Sequence, residues 1–109
     1  MNIVNFKKLG NSLEVDKDHV LKEINKGSFI LINLKEKEYP YEVHESAEEM
    51  IIAFQGSFVL ETEVESVIIP EGFMVTVSKG VKHRFGNESN ALILGVAPHI
   101  HQLKDLDYF

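Results

Sequence analysis

The sequence predicts an all-β domain, a closed barrel or sandwich, and two observations carry that reading. From Ser28 onward, short β-favouring runs alternate with turn residues. No helix is expected between the runs, as the crossovers of a parallel sheet would require. The runs are "FILINLK", "YPYEVH", "EMIIAF", "SFVLETEV", "SVIIP", "FMVTV", "HRF" and "ALILGVA", about eight short strands. Gly56, "PEG", "SKG" and "GNESN" punctuate them. "FILINL" is apolar apart from Asn33 and reads as an edge strand that needs a partner to cover it. Residues 1–27 are weakly patterned and form an N-terminal segment, a short helix or strand. There "DKDHVLKEI" reads as a helix N-capped by Asp16 or Asp18, with Val20, Leu21 and Ile24 as a thin apolar stripe. Residues 28–109 form the barrel, and the chain is one domain.

Composition narrows the function classes. A length of 109 residues suits a single core. An apolar fraction of 44% against 26% charged residues implies a packed interior rather than disorder. The net charge of -6, with no basic stripe, argues against a nucleic-acid partner. The absence of cysteine removes disulfides, thiolate ligands and cysteine nucleophiles together. "MNIVNFKKLG" lacks an apolar signal core and no apolar stretch is long enough to span a bilayer, so a cytoplasmic location and no membrane partner are expected.

The candidate site begins in "PYEVHESAEEMIIAFQG", where charge gathers ahead of an apolar run. Alternate side chains of a strand share a face, so Glu42 and His44 point to one side. Glu49 opens the next strand after a four-residue connection, and its same-face successors Ile51 and Ala53 are apolar. That carboxylate therefore sits at one end of the core face, close to His44. His83 follows a glycine-containing turn at the start of another strand, and spacing alone does not bring it to the others.

The stretch from His44 to Gly56 resembles the latter part of the first motif of the cupin superfamily, in which H-x-H is followed by three or four residues, Glu, six residues and Gly. Here His44 is followed by four residues, Glu49, six more and Gly56. The second motif, G-x5-P-x-G-x2-H-x3-N, is met in register by Gly72, Gly80, His83 and Asn87. The 15 residues between the motifs resemble the spacer of small single-domain cupins. Two positions depart: Glu42 stands for the first histidine of H-x-H, and Ser78 for the proline.

The resemblance implies a jelly-roll (double-stranded β-helix) barrel with a cavity at one end, and His44, Glu49 and His83 as metal ligands. Glu42 occupies the position of the missing ligand and serves as a fourth ligand or a general base. Two imidazoles and a carboxylate suit Fe(II) with open coordination positions and also accommodate Zn, Mn or Ni; a second carboxylate makes a purely structural Zn site less fitting. The alternative for Glu42 is an ion pair with Lys35 or Lys37. Glu45 and Glu48 read as a solvated turn face, and His99 and His101 of "PHIH" as exposed. "MIIAF" and "ALILG" read as core strands, while Met50, Met74 and Phe54 line either the cavity or a subunit interface.

Three functions follow as expectations: a metal-dependent oxygenase, isomerase or lyase acting on a small molecule; a non-catalytic small-ligand module with weak or no metal; or a hydrogen-bonded polar network with a purely structural role. A homodimer is expected in each case.

Overall fold

The computed structural model describes residues 1, 3–25, 27–35, 39–45 and 47–98. Its elements are α1 (Phe6–Ser12), β1 (His19–Ile24), β2 (Gly27–Leu34), β3 (Glu49–Thr62), β4 (Ser66–Ile69), β5 (Met74–Val77), β6 (His83–Phe85) and β7 (Asn90–Pro98). All strand pairs are antiparallel. The larger sheet runs β1-β2-β7-β3-β5, and the smaller places β3 between β4 and β6. The two face each other as a jelly-roll barrel.

Strand β3 belongs to both sheets because it turns between them. "EMIIAF" and the first six residues of "SFVLETEV" thus belong to one 14-residue strand rather than two strands parted at Gly56. A bulge between Ala53 and Gln55 interrupts the pairing with β7, and bulges bend and twist a strand. Gly56 follows at φ 75°, beside β7. A Cβ there would lie 2.3 Å from the Asn90 carbonyl oxygen, so both conformation and contact require glycine.

Between the sheets lies the main core, in which Ile30, Ile32, Ile51, Ala53, Phe58 and Ile93 are at most 2% exposed. Alternation selects them, since Ile51 and Ala53 of β3 face inward with Glu49 at the start of the same row. Each fully buried large side chain contributes roughly 1.5–3 kcal/mol, so the row anchors Glu49 firmly at the barrel mouth.

A second apolar layer lies outside the larger sheet. There Leu21, Leu31 and Leu94 pack under Phe6, Leu9 and Leu13, and Phe6 meets Phe29 and Phe54 edge-on at 6.0 and 5.8 Å. Helix α1 is started by Asn5, whose side chain accepts the Lys8 N–H at 3.0 Å. Strand β2 is therefore interior, paired on both sides and covered on both faces, and its largely apolar run reflects that double burial rather than an exposed edge.

Two further expectations are corrected. The helix from Asp16 or Asp18 is strand β1. Val20 faces the inner core and its neighbour Leu21 the outer layer, as strand alternation gives, and because both faces are covered two consecutive residues are apolar and period two does not show in the sequence. "YPYEVH" is not a regular strand but a single bridge, in which Glu42 and His83 exchange backbone hydrogen bonds of 2.9 and 3.0 Å. Pro40, lacking an N–H, stands just before it. No helix among the described residues is long and apolar enough to cross a membrane.

Candidate metal centre

The two motif segments are tied together by backbone before any side chain is considered. The Glu42–His83 bridge joins them at one point, and the Gly80 N–H donates to the His44 carbonyl at 2.8 Å at another. Gly80 has φ 81° in the turn closed by the Val81 N–H on Ser78 O at 3.2 Å, a conformation that favours glycine. His83 then begins β6, opposite Thr62 of β3.

These constraints bring Glu42, His44, Glu49 and His83 together, with one ligand atom from each within 4.8 Å of every other. The inner pair is buried: Glu49 is 6% and His83 3% exposed, and His83 Nε2 lies 2.9 Å from Glu49 Oε1. The outer pair is looser. His44 Nε2 is 3.4 Å from Glu49 Oε1 and 3.6 Å from Glu42 Oε1, and Glu42, with its side chain 55% exposed, lies 3.7 Å from His83 Nε2. Glu42 and His44 do share a side, as period two implies, although their segment is not a strand.

Electrostatics separate the two histidines. His83 Nδ1 lies 2.9 Å from Val81 O, so Nδ1–H donates there and fixes the ring. Burial works to lower its pKa. The Glu49 hydrogen bond, the Val81 carbonyl and the charges of Glu49 and Glu42 outweigh burial and leave it raised. The protonated ring can donate to both acceptors, Val81 O and Glu49 Oε1. His44 Nε2, in contrast, is buried and has no hydrogen-bond partner. An orphaned imidazole nitrogen facing two carboxylates is a position that wants a cation.

The donor set fits a divalent ion. Ligands about 2.1 Å from a metal lie about 3.0 Å apart at neighbouring octahedral positions and about 3.4 Å apart in a tetrahedron. The separations of 2.9, 3.4, 3.6 and 3.7 Å fall near this range without movement of the backbone. A metal would take Nε2 of His83 while Val81 holds Nδ1–H, the usual way a ligating imidazole is oriented. Fe, Mn, Ni and Zn all accept this mixture of imidazole and carboxylate.

A cavity of about 270 Å³ adjoins the cluster, reaching Glu42, Glu49 and His83 on one side. Ile51, Phe85 and Tyr39 provide its apolar surface. The Tyr39 and Phe85 rings meet edge-on at 5.3 Å, and Phe85 meets Phe58 of the core at 5.5 Å, which ties this wall to the barrel interior. The Tyr39 hydroxyl donates to Asp16 Oδ1 at 3.3 Å. Burial, together with the nearby Asp16 carboxylate, pushes its pKa far up and keeps it a neutral phenol.

Sequence reasoning missed Asp16, Tyr39 and Phe85 as cavity residues, because three separate segments supply them without a common spacing. Of the alternatives, Lys35 donates to Asn90 Oδ1 at 3.3 Å. Lys37, His99 and His101 lie outside the described residues. Glu45 and Glu48 are exposed, as a solvated turn requires. Met50, Met74 and Phe54 are not among the cavity residues; Phe54 packs in the outer layer under α1.

No family model matches the chain, and no curated protein matches it. Its fold does match solved structures. A cupin-2 domain containing protein from Shewanella frigidimarina superposes with a TM-score of 0.77 at 21% identity, covering 89% of this chain and 95% of that one. A protein from Thermus thermophilus gives 0.72 at 23% identity, covering 90% and 98%. A cupin superfamily protein from Desulfitobacterium hafniense gives 0.68 at 11% identity, covering 82% and 84%. The chain has the fold of a small cupin domain.

Proposed function

We propose that this chain is a metal-dependent enzyme for a small molecule, with a divalent ion held by His44, Glu49 and His83 and by Glu42 as a fourth ligand. One observation carries the reading: four donor atoms lie within 4.8 Å, His44 Nε2 among them buried without a partner, and the other three residues line a cavity. A divalent ion held by these residues would supply a Lewis acid beside the cavity. The chain's own residues do the rest. Glu49 and His83, buried and hydrogen-bonded, hold the inner half of the site, and Ile51 and Phe85 exclude water from the cavity floor. Glu42 is the carboxylate with access to solvent and is placed to take a proton from a bound molecule. An oxygenase with Fe(II) and an isomerase or lyase with Mn, Ni or Zn both fit these roles.

The exposure of Glu42 favours a second reading, a non-catalytic cavity that holds a small polar ligand with weak or no metal. Plasma mass spectrometry of protein purified without chelator separates the two. About one metal per chain is expected, with turnover of metal-loaded protein on a small-molecule panel; metal-free protein that still binds ligands would favour the second reading.

A homodimer belongs to the same proposal. Supporting it are Met50 and Val96, paired across two strands, and Met74 beside them, exposed on the outer face of the larger sheet. Sedimentation velocity reads the outcome.

A further inference from the structure

The wall of the cavity away from the cluster carries charge that the metal reading does not use. Asp16 sits at φ 57°, a left-handed conformation held from three sides: its N–H donates to Asn33 O at 2.9 Å, and its Oδ1 accepts from the Lys35 N–H at 2.9 Å and the Tyr39 hydroxyl at 3.3 Å. Both donors to the carboxylate are neutral, so neither offsets its charge.

Among the described residues Lys17 and Arg84 also line the cavity, and each faces a carboxylate that does not line it. Lys17 Nζ lies 2.9 Å from Glu14, while Arg84 Nε lies 2.9 Å from Glu61 and its guanidinium stacks 4.3 Å over Tyr41. An anionic ligand entering here meets the Asp16 carboxylate, which neutral donors hold. A cationic one meets that carboxylate beside the Tyr39 and Phe85 rings, and aromatic faces also attract cations. About 270 Å³ holds roughly nine waters' share of liquid, which limits the occupant to about one ring with a short substituent.

We propose that this cavity takes a small organic amine in its protonated form, with its apolar body against Ile51, Phe85 and Tyr39 and its ammonium toward the Asp16 carboxylate. The inference rests on the proposed function only in assigning the part of the cavity lined by Glu42, Glu49 and His83 to the metal. It makes Asp16 a specificity-determining residue, set by a fixed turn rather than by either motif.

Calorimetric titration of benzylamine, benzyl alcohol and benzoate tests this, since the three probes are nearly equal in size and differ in head-group charge. The titrations use protein of measured metal content, once metal-loaded and once chelator-treated. Benzylamine is expected to bind about tenfold more tightly than benzyl alcohol, with benzoate weakest, in both forms. Asp16→Asn, whose side chain tolerates the left-handed backbone, should bring benzylamine down to benzyl alcohol while leaving melting temperature and metal content unchanged.

Benzoate binding as tightly as benzylamine in either form overturns the proposal, as does a ranking that survives Asp16→Asn or the failure of all three probes to bind. The wild-type ranking is decisive even if the variant does not fold. A chain that carries no metal but keeps the ranking sinks the metal reading alone. A loaded chain that prefers benzoate does the reverse.

Discussion

The inner and outer halves of the four-residue cluster are built differently. Glu49 and His83 are almost fully buried, meet at 2.9 Å, and are each the first residue of a paired strand. Glu42 and His44 stand on an irregular segment, with side chains 55% and 21% exposed and contacts of 3.4 to 3.7 Å. The inner half is assembled by folding. The outer half has the right residues at distances that a shared ion would shorten. One cluster thus combines a structural pair with a pair that waits for its ligand, and the two should fail in different ways.

His83→Ala should have the largest effect. It removes the partner of a buried carboxylate, and leaving such a group unpaired costs about 3–5 kcal/mol. Denaturant unfolding of chelator-treated protein should show that loss, and metal content should vanish with it. His44→Ala removes a side chain whose Nε2 has no hydrogen-bond partner, so apo stability should change by less than about 1 kcal/mol while metal content is lost just as fully. Equal destabilisation by the two variants would erase the distinction between the halves.

That distinction could not be read from the sequence, although all four residues could. Glu42, His44, Glu49 and His83 were legible because motif spacing survives independent of the fold around it. The β character after Ser28 was legible because β-branched runs alternate with turn residues. What failed were places where tertiary structure overrides local pattern. Both faces of β1 are covered there, so the successive residues Val20 and Leu21 are both apolar and the strand resembles a helix stripe. Gly56 reads as a turn but serves a strand that crosses between sheets against Asn90. Burial is a property of the folded chain, and nothing in "YEVH" and "VKHRF" says which histidine is covered.

The pH dependence sharpens the comparison at intermediate size. His83 has a folded-state pKa raised above its unfolded value of ~6.5, so the folded apo protein binds more protons than the unfolded chain in the window between the two. The stability it contributes is fully present below about pH 6.5 and is lost as pH rises through the folded value. Metal binding has the opposite sign, because Nε2 must lose its proton to coordinate, and affinity should rise through the same window. Unfolding midpoints of chelator-treated and metal-loaded protein between about pH 6 and 8 should therefore diverge, the first falling relative to the second. Parallel curves would mean that His83 is not the ligand that exchanges a proton for metal.

Glu42→Gln should have the smallest effect and is the most specific test of the outer half. Its carboxylate is more than half exposed, and the charge it places near His83 is the weakest of the causes raising that pKa, so apo stability should stay within about 0.5 kcal/mol of wild type. Glutamine keeps the shape and one oxygen but loses the charge. If Glu42 is a fourth ligand, metal affinity should drop about tenfold and remain measurable, since three stronger donors are intact. Competitive titration against a chelator of known affinity reads that drop directly. Unchanged affinity would confine coordination to His44, Glu49 and His83 and leave Glu42 only the proton-transfer role. Loss as complete as in His44→Ala would mean that the outer carboxylate, for all its exposure, is as necessary to the ion as the imidazole beside it.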